Sequence, residues 1–171
     1  MPTQVRLSSG HLIIPIVLCL AAAGFNAFFA LPLLPTWYAG LIKPAFLPVD
    51  TFPFVMVVLF VYLLLGCSVI FIWHASRMAK HDQLLCLGLI IFTIILMGLW
   101  GYIFFGLKSP FLGVMISVFV ISMLIATMLQ SVKVSFGAML LLTVVVILTF
   151  LIAYTNYLIV QYNPSLPIFG I

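Results

Sequence analysis

The chain has 171 residues, of which 67% are hydrophobic and only 5% charged: six Lys/Arg, two Asp and no Glu. A soluble domain carries about 25% charged residues, so soluble enzymes, nucleic-acid binders and disordered regulators are excluded, and the mean hydropathy of +1.46 names lipid as the solvent. The net charge of +4 is dispersed over Arg6, Lys43, Arg77, Lys80, Lys108 and Lys133, with no basic patch, and reads as a topology signal rather than as affinity for nucleic acid.

A bilayer core about 30 Å thick asks for roughly 20 apolar residues per helix. Five such runs occur, at about 12–34, 52–73, 84–107, 111–129 and 138–160, and none contains Lys, Arg, Asp, Glu or His. Their continuity excludes the alternating pattern of a β-barrel. The expected fold is all-α: a polytopic membrane protein, a bundle of five transmembrane helices forming one domain over residues 1–171. The first run follows Arg6 and contains Ala21-Ala22-Ala23, a signal-peptide-like combination, but it stays apolar to Leu34 and reads as a retained helix. The connection at about 35–51 is long and rich in aromatic residues and Pro: Trp37, Tyr38, Lys43, Pro44, Phe46, Pro48 and Asp50. A long loop among short ones is a candidate for function. Trp73 and His74, closing the second run, read as an interfacial belt, and His11 and His81 as solvated flanks. Cys19, Cys67 and Cys86 lie inside apolar runs without ligand spacing and read as small hydrophobes. The other connections are short, so helices two and three, three and four, and four and five are expected to be antiparallel neighbours. Ser109-Pro110 reads as an N-cap followed by proline at the first helical position of helix four. Gly113 and Ser117 form a small-xxx-small pair in that helix. Five spans put the termini on opposite sides, and Arg6, Arg77, Lys80 and Lys133 against Lys43 and Lys108 favour a cytoplasmic N-terminus.

Polar residues inside a membrane are expensive and often functional. Asn26, Tyr62, Trp100, Ser117 and Asn156, with Tyr154 and Tyr157, favour the half of the bundle beneath loop one. Two readings stand. Loop one could lid a cavity between the helices, or the Asn residues bond across helices while Trp100, Tyr154 and Tyr157 form a belt. The spans hold no acid for proton relay or ion coupling, and paired-carboxylate chemistry, a phosphate loop and a nucleophile triad are all lacking. The reading is therefore of no catalytic residues, no metal ligands and no required cofactor. A mostly apolar, lidded cavity would suit a flat hydrophobic ligand.

Trp37-Tyr38-x-x-Leu41-x-Lys43-Pro44-x-Phe46-x-Pro48 resembles the loop-one signature WYxxLxKPxWxPP of the TspO/MBR family, the tryptophan-rich sensory or translocator proteins. Tyr62 to Ser68 is similar to the family's YxLMGxS, and Trp100 with Phe104 to Pro110 to its WxxxFFGLxSP. Tyr154-x-Asn156-Tyr157 resembles the YLNY of helix five. The blocks occur in the family's order and spacing. The resemblance implies a five-helix bundle that forms a homodimer in the membrane lipid. It also implies a cavity closed by loop one that takes porphyrins or other hydrophobic small molecules.

The implied ligand site comprises Trp37, Lys43, Pro44 and Phe46 of loop one, Met97 and Trp100 of helix three, and Leu148, Ile152, Tyr154 and Asn156 of helix five. Lys43 is available to an anionic group such as a porphyrin propionate. Several positions depart from the family. Phe46 stands where the family has the loop-one Trp linked to porphyrin degradation, Met97 where it has Asn, and Val58 and Leu148 where it has Trp. Ile152 replaces a small residue, and no cation follows Tyr154, Tyr157 or Tyr162, so the sterol-recognition pattern is absent. The expectation is a membrane receptor or carrier with a more purely apolar cavity than its relatives. A structural or interaction protein that keeps the fold without the ligand is the alternative. Light-dependent porphyrin breakdown, which relies on Trp, is the least favoured, and the chain is not expected to be an enzyme.

Overall fold

The computed structural model describes residues 10–45, 52–75 and 80–166, with side chains from residue 13 onward in the first stretch and 55 onward in the second. Its helices are α1 (Gly10–Leu33), α2 (Phe52–Trp73), α3 (Lys80–Gly101), α4 (Pro110–Val132) and α5 (Phe136–Tyr162). No strand occurs among the described residues. Each of the five is long and apolar enough to cross a membrane. The molecule is a five-helix membrane bundle, as the hydropathy implies, because only intrahelical bonding satisfies the backbone in hydrocarbon.

The first helix runs further than its apolar content suggests, and the third ends, within its apolar run, in a turn of the same kind. α1 continues into a wide π turn at Leu34–Tyr38, and α3 into another at Tyr102–Gly106. Trp37 and Tyr38, expected in a loop, therefore sit on helical backbone. Pro32 and Pro35 have no N–H to give the preceding turn, and the ladder widens rather than breaks, with Thr36 Oγ1 donating to the Pro32 carbonyl at 3.1 Å. At the second π turn the Leu107 amide donates to the Tyr102 carbonyl at 2.9 Å. The extra residue in that turn lets Phe104 and Phe105 both point inward, and both are fully buried. At the far end, α3 begins at Lys80, ahead of its apolar run, because its first turn is anchored by side chains. Gln83 Nε2 donates to the carbonyls of Ile72 at 2.7 Å and Trp73 at 3.2 Å, satisfying acceptors left open at the end of α2. Gln130 Nε2 donates to Asp82 Oδ1 at 3.0 Å, tying α4 to α3. Ser109 caps α4 as expected, accepting from the Leu112 amide with Pro110 at the first position, and Ser135 caps α5 by accepting from Ala138.

The helices close into a ring in the order α1, α2, α5, α4, α3. Helices three and four and four and five are neighbours, as expected. Helices two and three touch only slightly, which corrects the reading of their connection. α1 intervenes because its small residues let it lie close to α3: a Cβ on Gly98 would sit 3.4 Å from Ala22 Cβ. Close approach over small residues is the usual route to helix association in lipid. Two apolar clusters fill the ring. One, away from loop one, includes Val61, Leu65, Ile90, Ile94, Leu124 and Leu142. The other, beneath loop one, includes Leu34, Tyr38, Leu41, Trp100, Phe104, Phe105 and Ile159. Cys19 and Cys86 are buried, Cys67 is half-buried, and all three are free thiols.

Candidate ligand-binding site

A small cavity, about 30 Å³, lies between the two clusters. That is room for two or three waters. All five helices reach it. α1 contributes Asn26, α2 Val58, Val61 and Tyr62, α3 Met97 and Trp100, α4 Ser117 and Val120, and α5 Thr149 and Ile152. On four of them the lining residues are three apart, the spacing that repeats one face of a helix. The wall is apolar except for Asn26, Tyr62, Ser117 and Thr149, and no formal charge lines it.

The polar groups are held in defined directions. Asn26 Nδ2 donates to the Tyr62 hydroxyl oxygen and to the Met97 carbonyl, the latter at 3.1 Å, joining three helices. Gly101 makes this possible: a Cβ there would fall on the Asn26 side chain. Ser117 Oγ donates to the Gly113 carbonyl at 2.7 Å. Gly113 in turn accommodates the Phe104 ring, which a Cβ would meet at 2.7 Å. Trp100 stacks on Phe104 with ring centroids 5.3 Å apart and planes at 18°. Trp37 meets Phe104 edge-on at 5.7 Å and Phe105 at 6.3 Å. Trp37 of loop one, Phe104 and the wall residue Trp100 thus form one continuous aromatic layer.

Loop one is fastened at a second point. Asn163, just past the end of α5, accepts from the Ile42 amide at 3.0 Å and donates to the Ile42 carbonyl at 2.8 Å. It also donates to the Ile159 carbonyl at 2.8 Å, capping its own helix. Lys43 Nζ stands 4.5 Å from the centre of the Tyr38 ring, a cation–π contact. Partial burial holds the Lys43 ammonium below its ordinary pKa of 10.5.

Of the residues singled out in the sequence, Met97, Trp100 and Ile152 line the cavity. Trp37, Lys43 and Pro44 belong to the loop-one segment and do not line the cavity, Pro44 being buried and Lys43 half-buried. Leu148 packs with the cluster on the far side of the cavity. Asn156 is buried close by, and its Nδ2 has no partner among the described residues. Tyr154, at 48% exposure, faces outward and is not brought to the cavity. Tyr157 does the same, as belt residues would. Phe46 lies outside the described residues. Sequence reasoning missed Val61, Val120 and Thr149 as wall residues. Their only signal is the three-residue spacing to a more conspicuous partner.

The TspO/MBR family profile matches residues 15–162. A curated relative, the tryptophan-rich protein TspO of Chlorobaculum tepidum, is 32% identical over 152 residues, covering 86% of this chain and 92% of that protein. Five apolar helices in a closed ring, an aromatic first loop packed over the bundle and this match over nearly the whole membrane domain agree: the chain belongs to the TspO/MBR family and is a multi-pass membrane receptor or sensory protein of the TspO type.

Proposed function

We propose that the protein is a receptor or carrier that takes a flat, hydrophobic ligand of the porphyrin class into the cavity beneath loop one. The observation that carries this reading is a cavity reached by all five helices and walled by Met97, Trp100 and Ile152, with Trp100 joined through Phe104 to Trp37 of loop one. A ligand larger than a few waters enters as the lid lifts and Met97, a flexible side chain, gives way. Lys43 at the rim pairs with any carboxylate left outside. On this reading the protein works as a homodimer with its N-terminus in the cytoplasm. It needs no resident cofactor and is not an enzyme, since Phe46 occupies the family's loop-one Trp position.

Titrating the detergent-solubilised protein with protoporphyrin and following tryptophan fluorescence tests the proposal. Saturable quenching is expected, with Trp100→Ala weakening affinity by about tenfold, as loss of a stacked ring requires. Quenching that never saturates, or a Trp100→Ala variant with unchanged affinity, removes the cavity from consideration. The small volume at rest favours one second reading, a protein that keeps the fold for interaction alone, and non-saturable quenching is its expected result.

A further inference from the structure

We infer that the cavity selects a ligand carrying a neutral hydrogen-bond acceptor, such as a carbonyl, and that the hydroxyls of Tyr62 and Thr149 are the groups that read it. This rests on the cavity being the ligand site and goes on to name the chemistry it recognises.

Thr149 is the first observation. A threonine in a membrane helix ordinarily gives its proton to the carbonyl four residues back. Thr93, Thr127 and Thr143 do so here, at 2.8, 2.7 and 2.9 Å. Thr149 does not: it is only 6% exposed, it lines the cavity, and its Oγ1 has no partner. A buried hydroxyl without a partner is costly, more so in a low dielectric.

Tyr62 is the second. Its oxygen accepts the Asn26 amide, which leaves one proton to donate. That proton has no acceptor among the described residues, although Tyr62 is only 4% exposed and lines the same cavity. Asn26 therefore acts as a positioning residue, occupying the acceptor side of the phenol so that its donor side is offered elsewhere. Ser117 is already committed to the Gly113 carbonyl.

Asn26 Oδ1 is also without a partner among the described residues, but it lies against Gly101, where a Cβ would fall on it. The two donors with unmet demand therefore ask for an acceptor between them. A carboxylate is the wrong one, because no cation lines the wall and an uncompensated charge is not buried there. A purely apolar ligand is also disfavoured, since it leaves both hydroxyls without a partner. A neutral acceptor at the inserted edge satisfies both, while any anionic group stays at the rim by Lys43.

A matched pair of flat tricycles isolates the effect: 9-fluorenone, with a ring carbonyl, and fluorene, without one. Their binding to the detergent-solubilised protein is measured by equilibrium dialysis, for the wild type and for the near-isosteric variants Tyr62→Phe and Thr149→Val. Partition into the micelle is common to all three proteins and cancels in the comparison. Each variant should bind fluorenone about fivefold more weakly, the weight of one neutral hydrogen bond, with fluorene affinity held within about twofold. The infrared carbonyl band of bound fluorenone should move toward its free position in both variants. Equal losses for the two compounds, or fluorenone affinity unchanged in both variants, overturn the inference and leave the cavity as an apolar site. If neither compound binds saturably to any of the three proteins, the inference and the cavity reading fall together.

Discussion

Asn26 and Gly101 show how a single amide is accommodated in an apolar bundle. The Asn26 side chain is 5% exposed and bonds to α2 and α3 at once. It reaches them because α3 has no side chain at Gly101, where a methyl group would fall on the amide and stand 3.1 Å from the Asn26 Cα. Gly101→Ala forces Asn26 to another rotamer, breaking both bonds, or pushes α1 away from α3. The expected cost is about 1–3 kcal/mol, the range for overpacking a close contact. Because the clash is with one side chain, the penalty should shrink in an Asn26→Ala background. A double-mutant cycle by thermal unfolding in detergent checks this, and additive effects would mean that the two residues do not share a contact.

At the scale of elements, loop one is held by its aromatic underside and by Asn163, whose amide matches both polar groups of Ile42. The aromatic layer gives the lid its burial and Asn163 fixes its register. Asn163→Ala removes the two bonds to Ile42 while leaving Trp37 and Tyr38 in place. Stopped-flow mixing with protoporphyrin should then show association and dissociation both faster by about tenfold, the weight of the two neutral bonds removed. The ratio of the two rates should be nearly unchanged, because the cavity wall is untouched. Unaltered rates would show that the lid is gated elsewhere. This latch could not be read in the sequence, where Asn163 stands after an apolar run and Ile42 lies 121 residues away. The spans could be read, because lipid demands unbroken apolar runs and α2 begins and ends where they do. The first turn of α3 could not, since Lys80, Asp82 and Gln83 carry a helix beyond the hydrocarbon. Nor could the full cavity wall. In a soluble helix the buried face is apolar and the outer one polar, but here lipid and cavity ask for the same residues. Val120 in the wall and Val118 facing lipid differ in position only. Asn26, Tyr62 and Trp100 stood out in the sequence because they are costly in lipid.

The whole molecule places one kind of chemistry at each end. Loop one and Lys43 lie at one end of the bundle, while Lys80, Lys133 and the Gln83 and Gln130 anchors lie at the other. Arg6 and Arg77 lie outside the described residues; on the orientation proposed above they join Lys80 and Lys133, four cations against two by sequence count, and an excess of Lys and Arg marks the cytoplasmic side. The lid would then open away from the cytoplasm, and ligand would be received from that side. Single cysteines at exposed positions test this. The native thiols complicate little, since they lie within spans and are buried or half-buried. A membrane-impermeant maleimide added to intact cells should label Ala45→Cys, on the lid, and leave Lys133→Cys unlabelled until the membrane is opened. The reverse pattern would put the lid in the cytoplasm. It would also show that four dispersed cations do not outweigh two when one of the two, Lys43, is partly buried against an aromatic ring.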